Sequence, residues 1–226
     1  MTRKTTDKHR LRAPSKRSLA SRSRILDAAE TVFARDGFEG AKVRDIAALA
    51  EVPLGLVNHH GGSKEALFRE VVERRAEELT QLRLEALAGA KGQGALSLDV
   101  ILECFFRPYL AKAAGSDPQW LAYARLVAMV SADPAWADIS ADLFDPTAQR
   151  FIEEICALYP GVRCSVVAEG FVYSVAALLA FLTSEWRVAA LAATKGPQAS
   201  VEGLIAFCSA GCAARIAQAK SEARQC

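Results

Sequence analysis

The chain has 226 residues, of which 51% are apolar and only 8% are aromatic. A chain of this length and composition can bury a sizeable core in one larger or two smaller globular domains. The basic residues near its start are not followed by an apolar stretch, which argues against a secretory signal and favours a cytoplasmic protein.

Charge is unevenly distributed along the chain. Residues 1–24 hold nine Lys and Arg side chains against one acid, Asp7, so this segment carries +8 and the rest of the chain carries −6, for a total of +2. We predict a flexible basic arm over residues 1–22. Such an arm is either a solvated tail or a nucleic-acid contact, and its charge alone favours neither.

Three short helices are predicted after the arm. Apolar residues from Ser23 onward recur at the spacing of one helix face, namely Ile25, Ala28, Ala29, Val32 and Phe33. Gly37 stands where a helix usually ends. The stretch "KVRDIAALAEV" predicts a second helix, and Pro53 opens a third that runs to about His60. Helices this short, with a tight turn between the second and third, predict a helix-turn-helix unit over residues 23–70.

A longer fourth helix is predicted from Ser63 to about Leu87. Ser63 can cap its first turn, and apolar residues then recur at helical spacing. The Gly-rich stretch 88–96 is predicted to end this helix and is a candidate boundary. We assign residues 71–226 to a second, C-terminal domain.

The remainder of the chain also has a helical pattern. Turn-forming dipeptides and glycines divide it into five further predicted helices, at about 97–114, 118–131, 141–158, 162–191 and 199–221. No stretch shows the sustained alternation of a strand. The predicted fold class is therefore all-α, with a helix-turn-helix domain followed by a helical bundle.

The two C-terminal predicted helices are unusually apolar. Residues 170–184 form an uncharged run that is shorter than the roughly 18 to 20 residues needed to span a bilayer, so we predict a buried or interface helix and no membrane contact. Residues 201–216 carry an apolar stripe beside the small residues Ala210, Gly211 and Ala213. We predict that these two helices pair with their copies to form the four-helix seam of a homodimer.

The six cysteines are Cys104, Cys156, Cys164, Cys208, Cys212 and Cys226. They form no Cys-x-x-Cys pair and most have apolar neighbours, so no disulfide framework is expected and most should pack as small hydrophobic side chains. Cys208 and Cys212 lie one helical turn apart and could supply half of a metal site. No other ligand cluster completes such a site, so we predict core packing, and neither a metal nor another cofactor.

The first 70 residues resemble the tetracycline-repressor (TetR) family of bacterial regulators. The stretches that carry the resemblance are "RILDAAETVFARDGFEG", "VRDIAALAEVPLGLVNHH" and "GSKEALF", about a quarter of the chain. The C-terminal part is similar to the ligand-binding and dimerisation domain of that family, with "FFRPYL" and "AQRFIEEICALYPG" as its matching stretches.

We predict a set of DNA-binding residues: Lys42, Arg44, Leu54, Gly55, Asn58, His59, His60 and Lys64. Arg44, His60 and Lys64 match phosphate contacts of the family. Leu54, Gly55, Asn58 and His59 match the positions that face the major groove, and they share one side of the third helix. The alternative for His59 and His60 is a pair of exposed loop histidines. The two cannot easily share a metal ion, because adjacent helical residues project about 100° apart.

Three departures from the family pattern affect this site. Asn58 replaces a Tyr and supplies an amide that can pair with adenine. Gly61 replaces a buried Phe, a loss that costs roughly 3 to 5 kcal/mol unless neighbouring side chains fill the space. Ala41 and Lys42 replace the Ser or Thr residues that usually cap the second helix.

A ligand site in the C-terminal domain is predicted from six residues: Phe105, Tyr109, Trp120, Tyr123, Arg125 and Tyr173. Aromatic side chains that carry a polar group can line a cavity between helices, although core packing is the default for each of them. Because this set has many aromatic rings and few charges, the ligand should be largely apolar.

These features together predict a homodimeric transcriptional repressor that binds double-stranded DNA at a palindromic operator and is released by a small-molecule effector. One alternative is an all-helical enzyme or carrier, but no catalytic residue set stands at a telling spacing. Another is an architectural DNA binder that needs no ligand. We further expect the fourth helix to act as a rod that transmits a ligand-induced shift to the reading helix.

Overall fold

The computed structural model describes residues 16–193 and 199–225. Within them the chain forms eleven α-helices and one short 3-10 turn, and no strand, which confirms the all-α fold class. The elements are α1 (Lys16–Gly40), α2 (Val43–Leu49), α3 (Leu54–Gly61), α4 (Lys64–Gln93), α5 (Leu98–Ala113), α6 (Gln119–Ala132), the 3-10 turn η1 (Pro134–Trp136), α7 (Ala137–Leu143), α8 (Asp145–Leu158), α9 (Cys164–Thr183), α10 (Glu185–Ala192) and α11 (Val201–Gln225).

The prediction of a flexible arm over 1–22 needs correction, because α1 already begins at Lys16. The stretch "KRSLASR" is rich in good helix formers, and Arg22 makes an ion pair with Glu70 of α4. Residues 1–15 lie outside the described part. As predicted, the regular helix stops at Gly37, whose φ of 72° and ψ of 172° leave the helical region.

Aromatic rings hold the helix-turn-helix helices against the rest of the molecule. The rings of Phe33 in α1 and Phe68 in α4 meet edge to face with centroids 5.1 Å apart. Trp136 of η1 packs against both Phe38 and Phe68, with centroid distances of 4.7 Å in each case. This aromatic cluster fixes where α3 lies, because α3 is attached directly to α4.

The fourth helix is longer than its pattern predicts. It continues through Gly89 and Gly92 to Gln93, so the expected break at 88–96 is wrong for its first six residues. Each glycine costs about 1 kcal/mol in a helix, a cost that tertiary contacts can offset. The Nζ atom of Lys91 lies 2.6 Å from Glu154 of α8, and the helix ends only at Gly94, where φ is 152°.

Two of the predicted C-terminal helices are each divided. The expected helix over 141–158 is α7 and α8, which are separated at Phe144, and the expected helix over 162–191 is α9 and α10, which are separated at Ser184. Asp145 and Pro146 open α8, where proline is tolerated in the first turn. Apolar spacing predicts a helix but does not show where one helix ends and the next begins.

The helix α9 lies against α5, α6, α8 and α11. In the described part it is the one helix long and apolar enough to cross a membrane by length and composition. One side of it is buried within the chain, including Val167, Phe171 and Leu178. The apolar stripe of α11 is buried as well, and it includes Cys208 and Cys212. Burial raises the pKa of the Cys208 thiol, as expected of a core cysteine.

One disulfide bond corrects the expectation for the cysteines. Cys156, near the end of α8, pairs with Cys164, the first residue of α9, and their Cα atoms are 5.9 Å apart. The pair is eight residues apart across a turn, so the sequence offers no helical spacing that would have revealed it. In 16–193 and 199–225, no group of three or more His, Cys, Asp or Glu residues could hold a metal ion.

A buried ion cluster joins the two predicted domains. Glu30 of α1 is fully buried and accepts hydrogen bonds from Arg74 at 2.8 Å and Arg75 at 3.3 Å, both in α4. Arg75 also reaches Asp117, just before α6, at 3.0 Å. Burial raises the pKa of Glu30, although the guanidinium groups of Arg75 and Arg74 oppose the shift. The cluster connects α1, α4 and the α5–α6 turn through a single carboxylate and its partners.

Candidate nucleic-acid interface and ligand cavity

The turn between α2 and α3 sets the direction of α3. Glu51 has a φ of 53°, which is in the left-handed region, and the amide of Val52 donates to the carbonyl of Ala47 at 3.0 Å. Pro53 then adopts φ −59° and ψ 141°, so it precedes α3 and does not belong to it. The N-cap position of α2 is Lys42, which is exposed and whose side chain makes no capping hydrogen bond, so the cap expected to be missing is missing.

The outer face of α3 is accessible to solvent in the part of the chain that the structure describes. Leu54 is 39% exposed, and Gly55, Asn58 and His59 are also exposed. On the opposite side, Val57 is only 1% exposed. The four residues predicted to face a major groove therefore share one accessible surface, while the other side packs into the core. This surface has no carboxylate of its own.

Leu67 fills the space around Gly61. A Cβ atom at Gly61 would lie 3.1 Å from Cδ1 and 3.2 Å from Cβ of Leu67, and Leu67 itself is 2% exposed. The space that a Phe would occupy is therefore already filled. The loss of the ring is offset by a neighbour, and α3 packs closely against the start of α4.

Cationic side chains lie on the elements before and after α3, and at its last turn. Lys42 and Arg44 are exposed at the start of α2, and His60 is half-buried with its ring 5.2 Å from that of His59. Lys64 is the first residue of α4. Its Nζ donates to the carbonyl of Glu39 at 3.2 Å and lies 4.6 Å from the Phe38 ring centroid, which holds the ammonium group in place beside α3.

The N-terminus of α4 is already occupied by protein groups. Ser63 accepts a hydrogen bond from the amide of Ala66 at 3.1 Å. The pKa of Glu65 is lowered by a hydrogen bond from its own backbone amide and by another from Ser63. A phosphate at this position would compete with that carboxylate. The Lys64 ammonium, with its further N–H donors, is therefore better suited to a phosphate than the α4 amides are.

A cavity of about 580 Å³ lies in the C-terminal bundle, between α4, α5, α6, α7, α8 and α9. Three of the six predicted ligand residues, Phe105, Tyr109 and Tyr123, line it. Trp120 does not reach the cavity and packs behind Tyr109 and Tyr123, with centroids 6.0 Å from each.

The remaining two ligand residues require correction. Arg125 is exposed on α6, and Tyr173 is 65% exposed on α9 with its hydroxyl donating to Glu169 at 3.3 Å. Both lie outside the cavity lining. A polar group on an aromatic or basic side chain did not predict a place in the cavity lining, because helical periodicity does not show which side of α6 or α9 faces the bundle.

Arg83 of α4 lines the cavity and was not predicted. Its Nε donates to the carbonyl of Phe105 at 2.9 Å, and its guanidinium carbon lies 3.6 Å from the centroid of the Phe105 ring. Burial lowers the pKa of Arg83 to about 10, although the nearby phenols of Tyr123 and Tyr109 oppose the shift. In the sequence, Arg83 lies in the charged stretch "TQLRLEA", which is typical of a solvated helix face.

These observations define a helix-turn-helix protein whose second domain is a helical bundle with an internal cavity. Two sequence profiles of one family match the chain: the profile of bacterial regulatory proteins of the tetR family covers residues 25–71, and that of the tetracyclin repressor-like C-terminal domain covers residues 103–211. The chain belongs to the TetR family.

Individual proteins are similar over part or all of the chain. An HTH-type transcriptional repressor from Mycobacterium tuberculosis is 37% identical over 81 residues, which is 36% of this chain and 42% of that protein. The HTH-type transcriptional repressor AcnR from Corynebacterium efficiens is 40% identical over 65 residues, 27% of this chain and 35% of that protein. The matches thus span less than half the length of these curated relatives.

Solved structures extend the similarity of fold to the C-terminal bundle. The crystal structure of a TetR-like transcriptional regulator from Rhodococcus sp. RHA1 is superimposable with a TM-score of 0.57. Its sequence is 22% identical, and the match covers 91% of this chain and 99% of that chain. At this identity the comparison concerns the fold alone.

Proposed function

We propose that this protein is a transcriptional repressor that binds a palindromic operator in double-stranded DNA as a homodimer and is released by a small-molecule effector. The observation that carries the proposal is the accessible face of α3, where Asn58 and His59 are exposed, together with cations on the adjoining elements: Lys42 and Arg44 at the start of α2 and Lys64 at the start of α4. Exposed cations fix the register on the phosphates, and polar side chains on one helix face read base edges. Such a protein acts in the cytoplasm.

The homodimer is supported by the exposed apolar side of the C-terminal helices. Phe207 is 73% exposed on α11, and it shares a helix face with Ala210, Gly211 and Ala214, which are also exposed. Tyr173 of α9 is 65% exposed. Small residues beside an exposed ring allow two helices to approach closely, and a two-fold axis through this seam would present two α3 helices to successive major grooves.

Release by an effector is supported by a chain of contacts from the cavity to α1. Tyr109 lines the cavity and its hydroxyl donates to the carbonyl of Trp120 at 3.2 Å. The Trp120 ring lies 4.8 Å from the guanidinium carbon of Arg75, and Arg75 donates to Glu30. A ligand that moves Tyr109 therefore acts on side chains that also hold α1 and α4.

The helix α4 also joins the two proposed sites directly, because it carries Lys64 at its start and Arg83 at the cavity. Lys64 and Arg83 lie about 28 Å apart along it, given a rise of about 1.5 Å per residue. Coupling between the two sites must be reciprocal. An effector that weakens operator binding by about 5- to 150-fold must itself bind the DNA complex more weakly by the same factor.

The test is to select genomic fragments bound by the purified protein and to align them. An inverted repeat with half-sites about one helical turn apart is expected, together with a dimer in sedimentation at micromolar concentration. The variant Asn58→Ala should relax the preference at one base position in each half-site, while the control Gln81→Ala on α4 should leave the selected motif unchanged. Fragments without two-fold symmetry, or a monomeric protein, would contradict the proposal.

A further inference from the structure

The cavity in the C-terminal bundle is largely apolar. Side chains such as Leu79, Phe105 and Phe171 form its walls, and its volume of about 580 Å³ is within the range of small-molecule sites. An apolar organic molecule would be accommodated by shape and by the hydrophobic effect. The polar groups that do reach the cavity therefore determine which class of molecule fits.

Arg83 brings a positive charge into this apolar space without a partner of opposite charge. Among residues 16–193 and 199–225, no carboxylate lies within 4.0 Å of its guanidinium. Its Nε is engaged with the Phe105 carbonyl, which leaves four N–H donors on the two terminal nitrogens without a hydrogen bond to the described residues. Arg83 is half-buried. A carbonyl dipole does not neutralise a full charge, and charges that are withdrawn from water in proteins are normally paired.

The contacts of Arg83 hold its guanidinium in a fixed orientation. Its guanidinium carbon lies 3.6 Å from the Phe105 ring centroid and 6.0 Å from that of Tyr109. Together with the Nε hydrogen bond, these rings fix the plane of the group. A guanidinium held in this way can bind a planar, doubly accepting oxyanion such as a carboxylate through two parallel hydrogen bonds.

Tyr123 supplies a second unpartnered polar group. It is 1% exposed and lines the cavity, yet its hydroxyl makes no hydrogen bond to the part of the chain that the structure describes. Burial raises the pKa of Tyr123, so the phenol stays protonated and can donate. The neighbouring hydroxyl of Tyr109 is already committed to the carbonyl of Trp120.

The acidic residue at the cavity does not supply the missing partner. Asp145 lines the cavity but is exposed, in the first turn of α8, and it does not contribute to the shift in the pKa of Arg83. Thr80 and Thr147, the other polar pair in the wall, satisfy each other with an Oγ1–Oγ1 distance of 2.9 Å. The positive charge of Arg83 therefore faces the cavity uncompensated.

We propose that the effector is an amphipathic organic acid, whose apolar body fills the cavity and whose single anionic group pairs with Arg83 and accepts a hydrogen bond from Tyr123. This rests on the proposed function only in naming the ligand an effector, since the site itself is defined without DNA. It sharpens the expectation of a largely apolar ligand by requiring a negative charge at one end.

The test uses two probes of equal length, dodecanoate and dodecanol, titrated calorimetrically below their aggregation concentrations into the full-length protein. We expect dodecanoate to bind about tenfold or more tightly than dodecanol. The variant Arg83→Gln should lower the dodecanoate affinity about tenfold or more and change that of dodecanol less than about threefold. Arg83→Lys should keep the preference for the acid.

The matched control is Arg125→Gln, which removes an exposed arginine outside the cavity and should leave both affinities unchanged. Equal binding of the two probes, binding of neither, or an Arg83→Gln variant that retains the full preference would overturn the proposal. If Arg83→Gln does not fold, as judged by circular dichroism, the proposal is still tested by the ratio of the dodecanoate and dodecanol affinities, measured on the unaltered protein and on Arg83→Lys. A protein that binds its operator but not dodecanoate contradicts only the effector class, whereas one that binds dodecanoate but no DNA contradicts only the proposed repressor.

Discussion

The two domains display positive charge in opposite ways. Around α3, Lys42 and Arg44 are exposed and Lys64 lies at the surface of the α1–α4 junction. In the bundle, Arg83 is a single cation among apolar side chains. The first arrangement offers several weak, screened charges to an extended polyanion, and the second offers one strong, desolvated charge to a small one.

The difference lies in what each arrangement costs the folded protein. An exposed cation keeps its hydration and costs almost nothing until DNA arrives. Burial of Arg83 lowers its pKa to about 10, which means that the group stays charged at neutral pH but that its charged form is less stable than it would be in water. A bound anion would remove this penalty, so affinity for a small acid can come from a single residue, whereas DNA affinity must be distributed over many.

The largest predicted effect concerns Arg75, which lies on α4 two turns before Arg83 and is buried but paired. Replacement Glu30→Ala would leave Arg75 and Arg74 without their shared carboxylate, and should lower the free energy of unfolding by about 3 to 5 kcal/mol. Urea denaturation at one protomer concentration measures this. The control Asp27→Ala removes a 46% exposed partner of Arg74 and should cost no more than about 1 kcal/mol. If both variants lose the same free energy of unfolding, burial does not determine what the ion pair contributes to stability.

A second prediction contrasts the filled core under α3 with the cavity in the bundle. The variant Gly61→Phe restores the residue typical of the family, but Leu67 occupies the space, so overpacking should cost about 1 to 3 kcal/mol in the free energy of unfolding. Adding Leu67→Ala should recover part of this loss. The control Ala128→Phe adds a ring to a residue of the cavity wall and should cost less than about 1 kcal/mol, while blocking dodecanoate. Thermal and chemical denaturation would measure the stability of both variants. Equal losses of unfolding free energy in Gly61→Phe and Ala128→Phe would mean that the cavity cannot accommodate an added ring.

The sequence predicted the helix-turn-helix domain better than the bundle, for a physical reason. The stop at Gly37, the cap at Ser63 and the buried face of α3 are local signals, carried by residues a few positions apart. The compensation of Gly61 by Leu67 joins two helices through side-chain volume, and no local pattern encodes it.

The cavity depends on six helices, and for that reason most of its lining was not predictable. Arg83 has the spacing and neighbours of a solvent-facing residue, and only the packing of α5 over α4 turns it into a cavity cation. Tyr173 is the opposite case: it was predicted to line the cavity and has apolar neighbours in the sequence, but it is 65% exposed. A sequence can show that a helix is amphipathic without showing which other helix packs against it.

The smallest predicted effect distinguishes the two kinds of cation directly, through the salt dependence of DNA binding. Removal of one cation that neutralises a phosphate should reduce the slope of log K against log salt by about 0.9. The variant Lys64→Ala should therefore change the ratio of the DNA affinities at 50 and 200 mM salt by roughly three- to fourfold. The change should be equal on operator and on random DNA. Lys91→Ala is the matched control: it removes the same charge from the far end of α4, where Lys91 pairs with Glu154, and should leave the slope unchanged. Arg83→Gln should also leave it unchanged, because a half-buried cation that lines the bundle cavity, away from α3, displaces no counterion from DNA. A slope that falls equally in all three variants would mean that net charge alone governs binding, and that the positions of the cations around α3 carry no special role.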